Sequence, residues 1–113
     1  MTSFTVGRQA EAAAAGYLAR QGYQVLQQNW RTRYCEIDIV AKKDERIYFT
    51  EVKYRSKEAQ GGGLDYITPQ KLRQMAFAAR LWVSKHNWQG DYSLAAMALT
   101  GSSFAVSDFT EVA

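Results

Sequence analysis

The sequence is poor in the residues that build disulfides, zinc sites and membrane spans. It has one cysteine, one proline and one histidine in 113 residues. Cys35 therefore cannot form an intramolecular disulfide, and with His86 distant in the sequence it lacks partners for a zinc site. No apolar run approaches the roughly 20 residues of a membrane span, and the first residues lack the pattern of a secretory signal. We expect a cytoplasmic protein with no membrane partner.

What is present is typical of one globular domain. The chain is 47% hydrophobic and 22% charged, which excludes a wholly disordered protein, and its length suits a single domain over residues 1–113. The net charge of +3 and the sequence pI near 9.1 permit a polyanionic partner without demanding one.

Hydrophobic spacing predicts an α/β fold in the order α-β-β-β-α-β-β. The first helix carries Glu11 at the edge of its apolar stripe and stops at Gly22, and the second begins with Thr68 as N-cap and Pro69 in its first turn. The predicted helices cover residues 9–21 and 69–85; the predicted strands cover residues 23–29, at a sheet edge, 36–42, 46–54, 92–99 and 104–109. Residues 43–45 predict a hairpin connection, and residues 56–65 a flexible glycine-rich loop.

Two of these strands carry charges where core residues are expected. Because side chains alternate along a strand, Glu51 and Lys53 continue the apolar face of the strand over residues 46–54. The same alternation places Glu36 and Asp38 on one face of the preceding strand and the neighbouring isoleucines on the other. The pattern predicts charge directed into a cleft.

The charged residues have the types that metal-assisted phosphate chemistry needs. Mg²⁺ and Mn²⁺ prefer oxygen ligands, which Asp38, Glu51 and the backbone carbonyl of Val52 would supply if the two strands are neighbours. A cation would also offset the desolvation and mutual repulsion of the two carboxylates. Lys53 would hold a scissile phosphate or stabilise charge while the metal activates water. This set predicts phosphodiester hydrolysis.

The same motifs resemble known families. The order of an acid, about a dozen residues and then Glu-Val-Lys, preceded by an acid on a first helix, resembles the PD-(D/E)xK nuclease superfamily, especially archaeal Holliday-junction resolvases. A second set of motifs consists of Gly7-Arg8-Gln9-Ala10-Glu11, Gly22-Tyr23, Asn29-Trp30-Arg31, Glu36-Ile37-Asp38-Ile39-Val40-Ala41, Phe49-Thr50-Glu51-Val52-Lys53-Tyr54-Arg55 and Lys71. Through these motifs the chain resembles the YraN family of small bacterial proteins over roughly residues 4–100.

The resemblance implies a restriction-endonuclease-like core, a mixed β-sheet flanked by helices. It also implies that Glu11, Asp38, Glu51 and Lys53 occupy the positions of a nuclease site that acts on structured or branched DNA. One departure is Cys35, which stands where the family usually has glycine; if that position requires a positive φ, cysteine would be strained there.

Basic residues cluster around the candidate site. Eight of the 14 lysines and arginines lie between positions 31 and 57, against five acids, so a cation at the carboxylates would make this window attractive to phosphate. The expected backbone contacts come from Arg31, Arg33, Arg55, Lys57 and Lys71. The three tryptophans are expected to pack in the fold rather than stack on bases.

Other interpretations remain open on the sequence alone. Asp38 and Glu51 could be strand carboxylates in ion pairs with Lys53 or Arg55. Glu11 could simply stabilise its helix as an acid near the amino terminus. The alternatives to a nuclease are a non-catalytic nucleic-acid-binding module on the same scaffold and a protein-interaction subunit. A homodimer formed through the closing strands belongs to the second alternative.

Overall fold

The computed structural model describes residues 3–56 and 67–113, in which helices and strands follow one another in the predicted order. Residues 57–66 lie outside the described part. They include Lys57 and most of the predicted glycine-rich loop. The elements are α1 (Ser3–Arg20), β1 (Gln24–Arg31), β2 (Glu36–Lys43), β3 (Arg46–Arg55), α2 (Pro69–His86), β4 (Asp91–Thr100) and β5 (Ala105–Glu111).

The strands form one mixed sheet in the spatial order β1-β2-β3-β4-β5. β3 and β4 are parallel and joined through α2, while the other neighbouring strands are antiparallel. β1 lies at one edge, as predicted. A parallel pair needs a long crossover connection, and the segment between β3 and β4 supplies it.

The helices cover opposite faces of this sheet. α1 packs through Ala14 and Leu18 on a cluster that includes Ile39 and Met97. α2 packs through Ala78, Ala79 and Trp82 on a second cluster, whose sheet residues include Val40, Ile47, Phe49 and Leu94. Alternation along the strands separates the two clusters, because neighbouring residues such as Ile39 and Val40 face opposite sides. Neither described helix is both long enough and apolar enough to cross a membrane.

The ends of both helices follow from their local sequence. The Gly22 N–H bonds to the Ala19 carbonyl and the Tyr23 N–H to that of Leu18, and Gly22 has a φ of 92°, so α1 ends in the turn that its glycine predicts. Thr68 caps α2 by accepting a hydrogen bond from the Lys71 N–H at 3.0 Å. α1 begins six residues before its predicted start, because one glycine at position 7 weakens a helix by about 1 kcal/mol without ending it.

The predicted hairpin between β2 and β3 is a turn of two residues rather than three. Asp44 and Glu45 have φ values of 52° and 65°, the left-handed conformations of a tight turn whose twist matches the strands.

The predicted alternation along β2 is wrong at one point. Ile37 packs with the α2 cluster, whereas Ile39, two residues later, packs with the α1 cluster. The pairing of β2 with β3 runs only as far as Ile39 opposite Thr50. In that register Ile37 would lie opposite Val52, but the side chain of Asp38 takes the Val52 N–H instead. The side-chain bond replaces a backbone bond, so strict alternation ends at Asp38.

Candidate functional site

Asp38 lies where β2 and β3 separate. Its Oδ2 accepts a hydrogen bond from the Val52 N–H at 2.8 Å, which ties the carboxylate to the backbone of β3. The N–H and C=O of one strand residue point to the same neighbouring strand, so the Val52 carbonyl is also directed towards β2. The separation of the strands thus brings a carboxylate and a backbone carbonyl to the same gap.

The surroundings of Asp38 disfavour its charge. Burial, and after it the nearby Glu51 carboxylate, raise the pKa of its carboxyl from 3.8 to about 7. The hydrogen bond from the Val52 N–H lowers the pKa, and Glu11 and Glu36 add smaller contributions that raise it. Four acids from α1, β2 and β3 therefore interact at this point of the sheet.

Glu51 has its ion-pair partner on a different element from the one expected. Its Oε2 lies 3.0 Å from Nζ of Lys71, in the first turn of α2, and the Glu51 side chain is 20% exposed. The sequence alone leaves open an ion pair of Glu51 with Lys53 or Arg55. That alternative is wrong for Glu51, because α2 brings Lys71 over the end of the sheet from 20 residues away in sequence.

The remaining acids lie around this pair. Glu11 is half-buried on α1 and close enough to affect the pKa of Asp38. Glu36 forms an ion pair with Arg31 at 3.3 Å, and both side chains are more than half exposed. An exposed pair of this kind contributes little to stability.

The acid cluster is rich in oxygen but does not form a closed metal cage. Among residues 3–56 and 67–113 no three acidic, histidine or cysteine side chains are placed to hold one ion together. Mg²⁺ does not require three, since it is usually held by one or two carboxylates with water and substrate phosphate. The Val52 N–H engages one oxygen of Asp38, which leaves the other for a cation beside Glu51. The donor set therefore fits a hard divalent cation, which would also offset the charge repulsion at Asp38.

The predicted basic residues are placed around the acids rather than among them. Lys53 is exposed on β3, two residues beyond Glu51, with no carboxylate of the described residues within ion-pair distance. Arg55 ends β3 and is half-buried. Arg33 is exposed, with its guanidinium 5.5 Å from the centre of the Tyr34 ring.

A groove of about 640 Å³ opens beside Glu51. The connection between β1 and β2 forms one wall and the amino-terminal half of α2 the other. The lining residues that matter most are Tyr34, Glu36, Glu51, Lys71, Arg73 and Phe77. Sequence reasoning did not single out Tyr34, Arg73 or Phe77. A usable signal existed at Tyr34, an aromatic residue in a short polar connection.

Cys35 is accommodated without backbone strain. Its φ is not positive, and its N–H donates to Oγ1 of Thr32 at 3.2 Å while its carbonyl accepts from the Thr32 N–H at 2.9 Å. The strain considered for a cysteine at the usual glycine position therefore does not occur.

Two of the tryptophans pack as expected at the edge of the α2 cluster, and Trp82 is buried in it.

Comparison with known proteins identifies a family. Residues 10–104 match the model described as Uncharacterised protein family UPF0102. A UPF0102 protein of Vibrio parahaemolyticus is 40% identical over 80 residues, which are 71% of this chain and 66% of the relative. A UPF0102 protein of Mycobacterium avium is 41% identical over 86 residues, 74% of this chain and 67% of the relative. The matched part of the chain thus spans about two thirds of the length of these relatives.

Proposed function

The chain belongs to the UPF0102 family, as its YraN motifs predicted, and from that premise we propose that it is a metal-dependent nuclease. The proposed fold is a variant of the restriction-endonuclease-like core, with Mg²⁺ or Mn²⁺ as cofactor. The proposed substrate is structured or branched DNA, whose phosphodiester bonds are hydrolysed.

The observation that carries this proposal is the acid cluster at the end of the β2–β3 ladder. Asp38 has a pKa near 7 because it is buried beside Glu51, so its ionised form is unfavourable in the protein alone. Such an arrangement opposes folding unless a cation balances it. Acids held against their own repulsion on a rigid sheet are typical of functional sites.

Each residue has a role in the proposed reaction. Asp38, Glu51 and the Val52 carbonyl would hold the cation, which when bound lowers the pKa of an attacking water and neutralises charge on the phosphate. Lys53 binds a non-bridging phosphate oxygen and orients the scissile bond. Glu11, on the opposite side from α2, assists by positioning water near Asp38.

Lys71 has a separate role at the same site. Its ammonium forms an ion pair with the half-buried Glu51 carboxylate at 3.0 Å when no other cation is present. Once Glu51 has another cationic partner, Lys71 can turn to a substrate phosphate. Arg31, Arg33 and Arg55, with Lys57, contact the backbone of the nucleic acid.

A second candidate is a non-catalytic nucleic-acid-binding module on the same scaffold. The ion pair between Glu51 and Lys71 favours it, because that pair already satisfies one of the two carboxylates without a metal. This candidate predicts salt-sensitive DNA binding with no dependence on divalent cations.

Cleavage of a labelled panel separates the two candidates. The panel contains a four-way junction, a flap, a duplex and a single strand, each tested with Mg²⁺, Mn²⁺ or EDTA. For the nuclease we expect cleavage of at least one substrate, abolished by EDTA. Asp38→Asn should reduce it at least about 100-fold, since replacing residues that only orient metal ligands already costs about 10–100-fold.

Glu45→Gln is the matched control, because Glu45 is an exposed acid in the β2–β3 turn whose ion-pair partner is Lys42, at 3.8 Å. It should cleave like the wild type. Asn at position 38 retains an oxygen to accept the Val52 N–H, so the fold should persist. Undiminished cleavage by Asp38→Asn would exclude the proposed site, and binding without cleavage would favour the non-catalytic module.

A further inference from the structure

The groove beside Glu51 has aromatic residues on both walls that are unusually accessible. Tyr34, on the β1–β2 connection, is 72% exposed, and Phe77, on α2, is 45% exposed. Aromatic side chains at a protein surface are usually covered in part by neighbouring residues, because their large apolar area is costly to hydrate. Two of them around one open groove indicate a surface for a flat apolar partner.

The Tyr34 ring is presented by a constrained turn. The N–H groups of Tyr34 and Cys35 both donate to Oγ1 of Thr32, at 3.0 Å and 3.2 Å, and the Thr32 N–H donates to the Cys35 carbonyl. These bonds fix the backbone that carries the ring. A partner that stacks on Tyr34 therefore does not have to order the turn first.

The charge around the groove is positive once its ion pairs are considered. Glu36 is paired with Arg31 and Glu51 with Lys71, so both acids on the walls are neutralised. Arg33 and Arg73 form no ion pair with any acid in residues 3–56 or 67–113. Arg33 instead lies over the Tyr34 ring. The groove thus combines aromatic surfaces with two available cations, which matches a planar base linked to a phosphate.

We propose that this groove binds an unpaired nucleotide of a single-stranded segment. Its base stacks on Tyr34 and Phe77, and its phosphates face Arg33 and Arg73. A paired base cannot do this, because its faces are covered by its neighbours in the duplex. The volume of about 640 Å³ lies within the roughly 300–1,000 Å³ of sites that enclose groups of this size.

This inference rests on the proposed function for its consequence. Glu51 belongs both to the groove wall and to the acid cluster, so a strand held in the groove passes next to the proposed cation. The nuclease would then select substrates with unpaired nucleotides next to the bond it cleaves, such as a flap or the branch point of an opened junction.

Binding in EDTA tests the groove without requiring cleavage. The full chain is titrated into a fluorescein-labelled oligothymidine of about 15 nucleotides, and into a duplex of the same length, with anisotropy as readout. Tyr34→Ala and Phe77→Ala should each weaken binding of the single strand by about 5-fold to 100-fold, the usual range for loss of one stacked base. Duplex binding should change by less than about twofold. Tyr34→Phe should restore tight binding, because phenylalanine keeps the ring.

Leu26→Ala is the matched control, since Leu26 is an exposed apolar residue of β1 that does not line the groove. It should bind both probes like the wild type. Circular dichroism should show all variants folded, since each replaced side chain is exposed. The proposal is overturned if the wild type does not bind oligothymidine, if both alanine variants bind it normally, or if Tyr34→Phe is as weak as Tyr34→Ala.

The cleavage panel and the binding titration can reject the nuclease and the groove separately. Aromatic-dependent binding with no cleavage in any metal would retain the groove and reject the nuclease. Metal-dependent cleavage with no effect of Tyr34 or Phe77 on oligothymidine binding would retain the nuclease and reject the groove.

Discussion

Among the titratable groups of the described residues, the Asp38 carboxyl is the one with a large pKa shift. Its burial and the approach of Glu51 raise its pKa to about 7, while the Val52 N–H keeps the side chain in place. The folded protein therefore binds the Asp38 proton more tightly than the unfolded chain, in which the pKa returns to its ordinary range. Proton binding at this residue is linked to folding.

This linkage gives a signed prediction for stability. Between pH 3.8 and about 7 the folded state carries the Asp38 proton and the unfolded state increasingly does not. The contribution of Asp38 is thus fully present below the lower value and decreases as pH rises to the upper one, by at most about 1.4 kcal/mol per pH unit. Asp38→Asn should remove this loss, so at about pH 8 the variant should be about 1–3 kcal/mol more stable than the wild type.

Urea unfolding at a series of pH values measures this difference. The gap between Asp38→Asn and the wild type should shrink as the pH falls towards 4, since the wild-type carboxyl is then neutral as well. Glu45→Gln, at an exposed acid, should follow the wild-type profile. If Asp38→Asn is less stable than the wild type in alkaline solution, ionisation of Asp38 does not destabilise the folded protein.

Residue types along the chain were enough to propose the acids, but not their contacts. Asp38 and Glu51 were predicted as a pair because both interrupt apolar strands, and the structure places them close enough to interact. Lys71 was missed as the partner of Glu51, because no local pattern joins a strand residue to a helix that begins after a long connection. The turn of Ile37 towards α2 was missed for a similar reason, since it depends on one side-chain bond to another strand.

At the scale of elements, α2 is fastened to the edge strand β1 by a polar contact within an aromatic cluster. Trp82 Nε1–H donates to Oε1 of Gln27 at 2.5 Å, and the His86 ring stacks on the Trp82 ring with centres 4.1 Å apart. His86 Nδ1–H donates to the Trp82 carbonyl at 2.9 Å, which leaves Nε2 to accept from the Gln27 amide at 3.4 Å. The Gln27 side chain thus forms hydrogen bonds with both rings.

Replacing Gln27 tests this attachment. Gln27→Ala should lower the free energy of unfolding by about 1–2 kcal/mol, because the buried Trp82 N–H loses its acceptor. Gln28→Ala is the matched control: Gln28 is the next residue of β1, and its side chain is exposed. It should change stability by less than about 0.5 kcal/mol. Equal effects of the two substitutions would show that the contact to Trp82 does not stabilise the fold.

The elements were well predicted where local chemistry defines them. Thr68-Pro69 and Gly22 mark helix ends by their own backbone preferences, and the structure has those ends. The start of α1 was misjudged, because Gly7 resembles a boundary but does not act as one. The turn at Asp44 and Glu45 was predicted one residue too long, because Glu45 follows Asp44 where a two-residue turn usually has glycine.

At the scale of the whole molecule, the site depends on the arrangement of the sheet. β3 is the central strand and pairs with β4 along its whole length, so β4 holds the backbone at Glu51 and Val52 beyond the point where β2 separates. On the other side the Asp38 side chain bonds the Val52 N–H. α2, which crosses between these strands, brings Lys71 and the groove to the same end as Asp38. The order of elements along the chain does not specify this spatial order, which is why the sequence predicted the acids but not the groove.

The central claim is that Asp38 and Glu51 hold a divalent cation, and Mn²⁺ binding followed by electron paramagnetic resonance tests it most directly. Because a cation must displace the Asp38 proton, affinity should rise as the pH increases through about 7, the pKa of that carboxyl. Asp38→Asn and Glu51→Gln should each abolish the site, while Glu45→Gln should bind like the wild type. Mn²⁺ binding unchanged in both site variants, or no binding by the wild type in alkaline solution, would contradict the account.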